Sequence, residues 1–439
     1  MRRTVVLCIA VATVAVAAAA VAQEGAALTL EESVAIALKQ HPLIAKAEEG
    51  LVQAEIDRKD AIANFLPKLT SLYTYTRLNE TPSSSFGPMP PLFPEPVTIT
   101  MGTDTVQRLG VSLRQTVFDG GKYLYAYRVA QENRLRTQND FEAVRHALAS
   151  QVKQAYYGVL TCRRLVEVTR ETEALAREHL RTAQERFAQG LVTRADILRT
   201  EVFLADRKQA VIEAERTLSL AQAQFNALLN RPMETPVVLA EVAAPPQETR
   251  SLAELKEKAF VRRPDLRALE HLLAMSDINI SITKSGYWPT VSLQADFAND
   301  RGSATSPNSW TTSWDVVAAV SIDVWNWGQT KNKVDRARSE RMKLAQDAAL
   351  FRQQVELEVE RAWRNLKAAE EKMASATAGE ESARENLRVA GILYREGMAT
   401  TADVLDAQTA LAQARTAYWQ SVYACRAAAA ELDRATGTM

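Results

Sequence analysis

Residues Arg186 to Leu198 read RFAQGLVTRADIL, and Leu393 to Leu405 read LYREGMATTADVL. Each stretch has a glycine, a threonine three residues later and an aspartate three further on: Gly190, Thr193 and Asp196 in one, Gly397, Thr400 and Asp403 in the other. Glycine adopts the left-handed conformation that ends a helix without steric cost. A threonine followed at the third position by an acid has the spacing of a capping box, here with Asp in the Glu/Gln role. Each stretch therefore predicts the turn of a helical hairpin.

Working outward, Gly121 to Gln189 carries no proline and one internal glycine, Gly158. At ~1.5 Å per residue this is a rod on the order of 100 Å long. Asn332 to Glu396 predicts a second rod, and Thr193 to Asn230 and Thr400 to Arg434 return from the two turns. Many alanines favour helix and allow close packing. Upstream, helical spacing over Leu28 to Gln40 is broken at His41-Pro42, and a second segment runs from Leu43 to Asn64, before Pro67.

This order recurs. Leu252 to Val261 is followed by a break at Arg263-Pro264, then by helix to Tyr287 and Pro289. Here 264 minus 42 and 289 minus 67 both give 222, whereas 328 minus 121, 363 minus 156 and 397 minus 190 all give 207. The difference of 15 is lost between the Pro-rich loop Asn79 to Asp104 and its shorter counterpart Asn299 to Thr312. The chain thus reads as two copies of one unit, residues 23–230 and 251–439, joined by a linker at 231–250 that contains Pro232, Pro236, Pro245 and Pro246.

Strands flank those loops. Leu69 to Leu78 is rich in Thr and Tyr, and Leu109, Val111 and Leu113 alternate with Arg108, Gly110, Ser112 and Arg114. In the second copy Val291, Leu293, Ala295 and Phe297 alternate with Ser292, Gln294 and Asp296, and Val316, Ala318, Val320, Ile322 and Val324 form one face of the last strand. Aromatic residues gather toward the ends: Phe118, Trp288, Trp310, Trp314, Trp325 and Trp327. Such segments fit transmembrane β-strands, and a half-buried sheet in a soluble domain has the same period. Four strands are too few to close a barrel, so if they span a membrane the protein is an oligomer.

Met1 to Ala22 has Arg2 and Arg3, an apolar run and a small-residue end, the order of a secretory signal. No apolar stretch of about 20 residues follows. Lys plus Arg number 53, as do Asp plus Glu, so no whole-chain field points to nucleic acid. Two cysteines remain after the signal. Because 190 minus 162 and 425 minus 397 both equal 28, Cys162 and Cys425 stand at equal distances from the turns. They read either as a disulfide or as two small buried apolar residues. His41, His146, His179 and His271 show no paired metal spacing, no nucleophile has an evident base, and Gly120-Gly121-Lys122 reads as a strand-to-helix turn rather than a phosphate loop. No enzyme, metal or cofactor is expected.

The opening LTLEESVAIALKQHPLI, its echo SLAELKEKAFVRRPDL, the strand entries FLPKL and YWPTV, the exits FDGGK and WNWGQ, and the turn YREGMATTADVLDAQ together resemble the TolC family of outer-membrane efflux channels. The resemblance implies an α+β membrane protein whose long α-helical hairpins form a periplasmic α-barrel. Four transmembrane β-strands per chain would enter a 12-stranded β-barrel shared by a homotrimer in outer-membrane lipid. It implies a passive duct of a tripartite efflux or type I secretion system, docked at its tips Gly190, Thr193, Gly397 and Thr400 by a periplasmic adaptor and energised by an inner-membrane pump. By position the family's gating tyrosine falls on Tyr394, its entrance aspartates on Asp403 and Asp406, and their acidic partner on Asp196. The arginine that follows the tip glycine in the family is Ala399 here, which leaves Tyr394 with Asp196 as the expected contact.

Comparison of the copies refines this. Subtracting 207 matches Asp403 to Asp196, but Asp406 to Arg199. Capping explains the first pair of acids, and a solvated helix face would be the ordinary reading of Asp406. The second hairpin is expected to line the entrance, where threefold symmetry would gather six carboxylates into a cation-attracting ring. The first hairpin is expected to pack outside, with Arg194 and Arg199 toward acidic neighbours. The rods alone would also fit an exported coiled-coil stalk or adhesion scaffold without channel activity.

Overall fold

The structure is a computed structural model that describes residues 27–88, 90–241, 249–304 and 307–439. The expected export signal at 1–22, Pro245 and Pro246 lie outside the described residues. The chain divides into two compact units.

The unit formed by Gly50–Gln138 and Arg267–Ala349 holds the sheet. Its strands β1 (Lys68–Arg77), β4 (Thr105–Phe118), β5 (Thr290–Arg301) and β6 (Thr311–Ser321) lie in the order β1-β4-β5-β6, all neighbours antiparallel. Between β1 and β4 the Pro-rich loop contains a separate two-stranded hairpin, β2 (Ser83–Phe86) with β3 (Val97–Thr100), where only a variable loop was expected. The last strand is also shorter than its alternation suggests. Ser321 pairs with Thr290, the first residue of β5; before it come Pro289, which has no N–H to donate, and a 3-10 turn at Ser285–Tyr287. Ile322 and Val324 therefore have no ladder partner and fall outside β6.

Register fixes the two faces of this sheet. Across the strands Leu69 pairs with Leu113, Leu113 with Ala295 and Ala295 with Val316; one row away Ser71, Val111, Phe297 and Trp314 align in the same way. Alternate residues on a strand share a face, so these rows and the row Tyr73, Leu109, Asn299, Thr312 lie on one side. The opposite side carries Thr70, Ser112, Asp296 and Asp315 in one row, and Arg108 lies opposite Asp300 with its Nε 3.6 Å from the carboxylate. Trp314 is 75% exposed, Val316 65% and Leu69 68%, so the apolar side is uncovered by the chain itself.

The second unit comprises the described residues up to Glu49, Asn139–Leu266 and Leu350–Met439. Four short helices contribute to the two units: α1 (Leu30–Gln40), α2 (Pro42–Ala63), α5 (Leu252–Arg262) and α6 (Pro264–Lys284). The long ones are α3 (Lys122–Ala188) and α7 (Gln329–Arg395), each of 67 residues, followed by α4 (Arg194–Leu228) and α8 (Thr401–Ala435), each of 35. At ~1.5 Å per residue a 67-residue helix is about 100 Å long.

Two apolar clusters hold this second unit. Leu148, Val152, Tyr156 and Phe225 belong to one, and Val355, Val359 and Leu432 to the other. These are equivalent positions, since 355 minus 148, 359 minus 152 and 432 minus 225 all equal 207. Tyr156 is fully buried, and its hydroxyl donates to the carbonyls of Leu28 (3.0 Å) and Ala240 (2.6 Å), which fastens the chain after α4 beside the start of α1. The wholly buried Asn226 donates to the carbonyls of Met233 and Thr235, and a parallel backbone bridge joins Leu239 to Leu28, so the proline-containing segment is tied down at both points.

Both cysteines are free thiols. The disulfide reading does not hold. Cys425 is buried in the second cluster and Cys162 is half-buried, and burial pushes both thiols up from their ordinary range.

Candidate functional site: the hairpin turns

The two turns are built alike. Gly190 and Gly397 have φ of 76° and 78°, the left-handed conformation that the sequence demanded. Leu191 N donates to the Arg186 carbonyl (3.0 Å) and Met398 N to that of Leu393 (2.8 Å), while the glycine N–H groups reach Phe187 and Tyr394. These are the paired bonds of a Schellman ending, which satisfy carbonyls that a helix end would otherwise leave open.

Helices α4 and α8 then start from true capping boxes. Thr193 N and Oγ1 donate to Asp196 Oδ2 at 3.0 and 2.7 Å, and Thr400 N and Oγ1 donate to Asp403 Oδ2, both at 2.7 Å. Asp196 N and Asp403 N return bonds to the threonine hydroxyls at 3.3 Å. The threonine hydroxyl and then its backbone N–H hold both carboxyls below the usual aspartate range.

On α8, Val404, Leu405, Ala407, Gln408 and Leu411 are buried, whereas Asp403, Asp406, Ala410 and Gln413 are exposed. The spacing of three, four and three puts the two acids on one stripe that faces away from the chain's own packing. Asp403 is engaged by its cap. The Asp406 carboxylate has no hydrogen bond or ion pair with another described residue.

Tyr394 is placed differently from the expectation. It is 4% exposed, and its hydroxyl has no hydrogen-bond partner among the described residues. Asp196, its expected partner, is taken up by Thr193, so the two are not brought together within the chain. Instead the ring packs against two residues of the first hairpin. The guanidinium of Arg186 lies 4.6 Å from the ring centroid and the His179 imidazole 5.2 Å from it. Arg186 also donates from Nη2 to the Arg395 carbonyl at 2.7 Å. His179 is buried with Nε2 unpartnered, and burial, followed by the charge of Arg186, lowers its pKa so that it stays neutral.

Arg194 and Arg199 are exposed and have no ion pair within the described residues. Sequence reading missed Arg186 and His179. Their signal was present: Thr172, Ala176, His179 and Ala183 form the buried stripe of α3, and Arg186 stands three residues further along it.

Long helical hairpins closed by such turns, together with a four-stranded sheet that is apolar on one face and has two unpaired edges, define the architecture of an outer-membrane channel protomer. The chain belongs to the outer membrane efflux protein family, whose model matches residues 33–231 and 255–438. It is similar to the outer membrane efflux protein BepC of Brucella suis, 22% identical over 388 residues that cover 87% of this chain and 80% of BepC. It is also similar to the protein CyaE of Bordetella pertussis, 27% identical over 278 residues, 60% of this chain and 58% of CyaE. The latter match therefore spans less than two thirds of that relative. The fold is that of the outer membrane channel CmeC of Campylobacter jejuni, with a TM-score of 0.78 at 17% identity, covering 93% of this chain and 85% of CmeC.

Proposed function

We propose that three copies of this chain form a passive duct that crosses the outer membrane and the periplasm and narrows at the hairpin turns. The observation that carries this reading is the sheet, on whose apolar face the row Leu69, Leu113, Ala295 and Val316 crosses all four paired strands, and whose edges β1 and β6 have no partner strand among the described residues. In lipid, an open edge leaves backbone groups with no partner, at a cost of several kcal/mol each, so the sheet must close on other copies. Three copies contribute twelve strands, with the face of Asp296, Asp315 and Arg108 toward the water-filled interior. The mature chain starts after an export signal at 1–22, and the two halves, 23–230 and 251–439, supply two strands and one hairpin each.

The second hairpin lines the entrance, where Asp403 and Asp406 from three copies make a ring of six carboxylates, and Tyr394 and Asp196 belong to the same constriction. Gly190, Thr193, Gly397 and Thr400 shape the tips onto which a periplasmic adaptor docks, coupled to an inner-membrane pump that supplies energy and chooses the cargo. Purified protein added to a planar lipid bilayer should give stepwise ion currents and run in detergent as an oligomer that resists unfolding. A soluble oligomer without conductance would instead favour the coiled-coil stalk.

A further inference from the structure

Arg186 is placed to act on the neighbouring hairpin. It sits in the last turn of α3, yet its Nη2 donates to the carbonyl of Arg395, the last residue of α7. The carbonyls at that end carry the negative pole of the helix, so the guanidinium caps α7 both as a donor and as a charge. The same group covers the Tyr394 ring at 4.6 Å, a cation–π contact shielded from water because Tyr394 is buried. His179 stands seven residues earlier on the same face of α3 and packs against the same ring, its centroid 5.2 Å away. Tyr394 is thus a knob of the second hairpin held in a hole of the first. Its hydroxyl has no partner there, so packing and the Arg186 contacts hold it, not a hydrogen bond of its own. The position has no counterpart in the second hairpin, since 186 plus 207 gives 393, a leucine.

We propose that Arg186 is the latch of the entrance, a positioning residue that holds the turn of the second hairpin, and with it the Asp403 and Asp406 stripe, against the first hairpin. Withdrawal of the guanidinium from the Arg395 carbonyl and the Tyr394 ring is the step that frees the second hairpin to move outward. The inference rests on the reading of the turns as a gate.

Single-channel recording of Arg186→Met, Arg186→Lys, Tyr394→Leu and the double variant Arg186→Met with Tyr394→Leu tests it. Methionine keeps the length of the stem and removes charge and donors, so the open-to-closed ratio should rise about tenfold, the effect of losing one charge-assisted bond. Lysine keeps a point charge but not the planar fork, and should give a smaller rise. The double variant should open no further than Tyr394→Leu alone, because both remove one contact. If Arg186→Met fails to form the detergent-resistant oligomer, Arg186→Lys carries the test by the same comparison. An unchanged open fraction in both Arg186 variants, with Tyr394→Leu still opening the channel, overturns the latch and leaves the gate. No change in any variant, in channels that conduct, overturns the gate reading and the latch with it.

Discussion

Replacing Arg263 with alanine should destabilise the helical unit by roughly 3–5 kcal/mol, the usual cost of breaking a buried ion pair from one side. The Arg263 side chain is 6% exposed and fully engaged. Nε and Nη2 donate to the two oxygens of Asp265 at 3.0 and 2.6 Å, Nη1 donates to Glu358 Oε2 at 2.7 Å, and the Ala435 carbonyl lies 3.4 Å from Nη1. Burial works against the charge, but the bonds to Asp265 and Glu358 outweigh it and hold the guanidinium above its ordinary pKa. Alanine would leave Glu358 and Asp265 partly buried without their cation, and would open space beside the cluster of Leu255, Val355 and Leu432. The midpoint of thermal loss of the helical circular dichroism signal reports this. Arg263→Ala should melt well below the wild type, and Arg263→Lys should lie between them. An alanine variant that melts with the wild type would contradict the assignment.

The second large effect concerns two adjacent valines. Val316 lies at the middle of β6 on the apolar face with Trp314 and Ala295, whereas Val317 lies on the opposite face with Gln294 and between Asp315 and Ala319 in its own strand. A lysine on the lipid side of a membrane barrel near the bilayer midplane costs about 2–4 kcal/mol, whereas one facing the lumen meets water. Val316→Lys should therefore fold poorly into lipid vesicles, while Val317→Lys folds close to the wild-type yield. The measure is the fraction that acquires the detergent-resistant, heat-sensitive band on a gel. Equal losses at both positions would mean that the two faces are not lipid and water.

Much of this architecture was legible because local rules act alone at the decisive points. A glycine that must be left-handed and a threonine with an acid at the third position leave few alternatives, and both turns follow them. The strands were legible as alternation, but their ends were not. Ile322 and Val324 continue the apolar alternation, and only the pairing of Ser321 with Thr290 shows where the ladder stops. In the helices, Arg263 and the matching His41, 222 residues earlier, read as the same break before proline. The burial of Arg263 and its bond to Glu358 come from tertiary packing, which no local pattern encodes. Tyr394 and Asp196 are not brought together within the chain for a similar reason. The capping box takes up the aspartate within its own turn, and Arg186, in the last turn of α3, covers the tyrosine ring instead.

The six-carboxylate entrance is the claim on which the functional account turns. Asp406 tests it more cleanly than Asp403, whose carboxylate also caps α8 through Thr400. The most direct measurement is the reversal potential of channels in a planar bilayer under a potassium chloride gradient, for the wild type and Asp406→Asn. The account predicts a cation-preferring wild type and a variant whose reversal potential moves markedly toward zero. An identical reversal potential in both would place Asp406 outside the conducting path and contradict the assignment of the second hairpin to the pore.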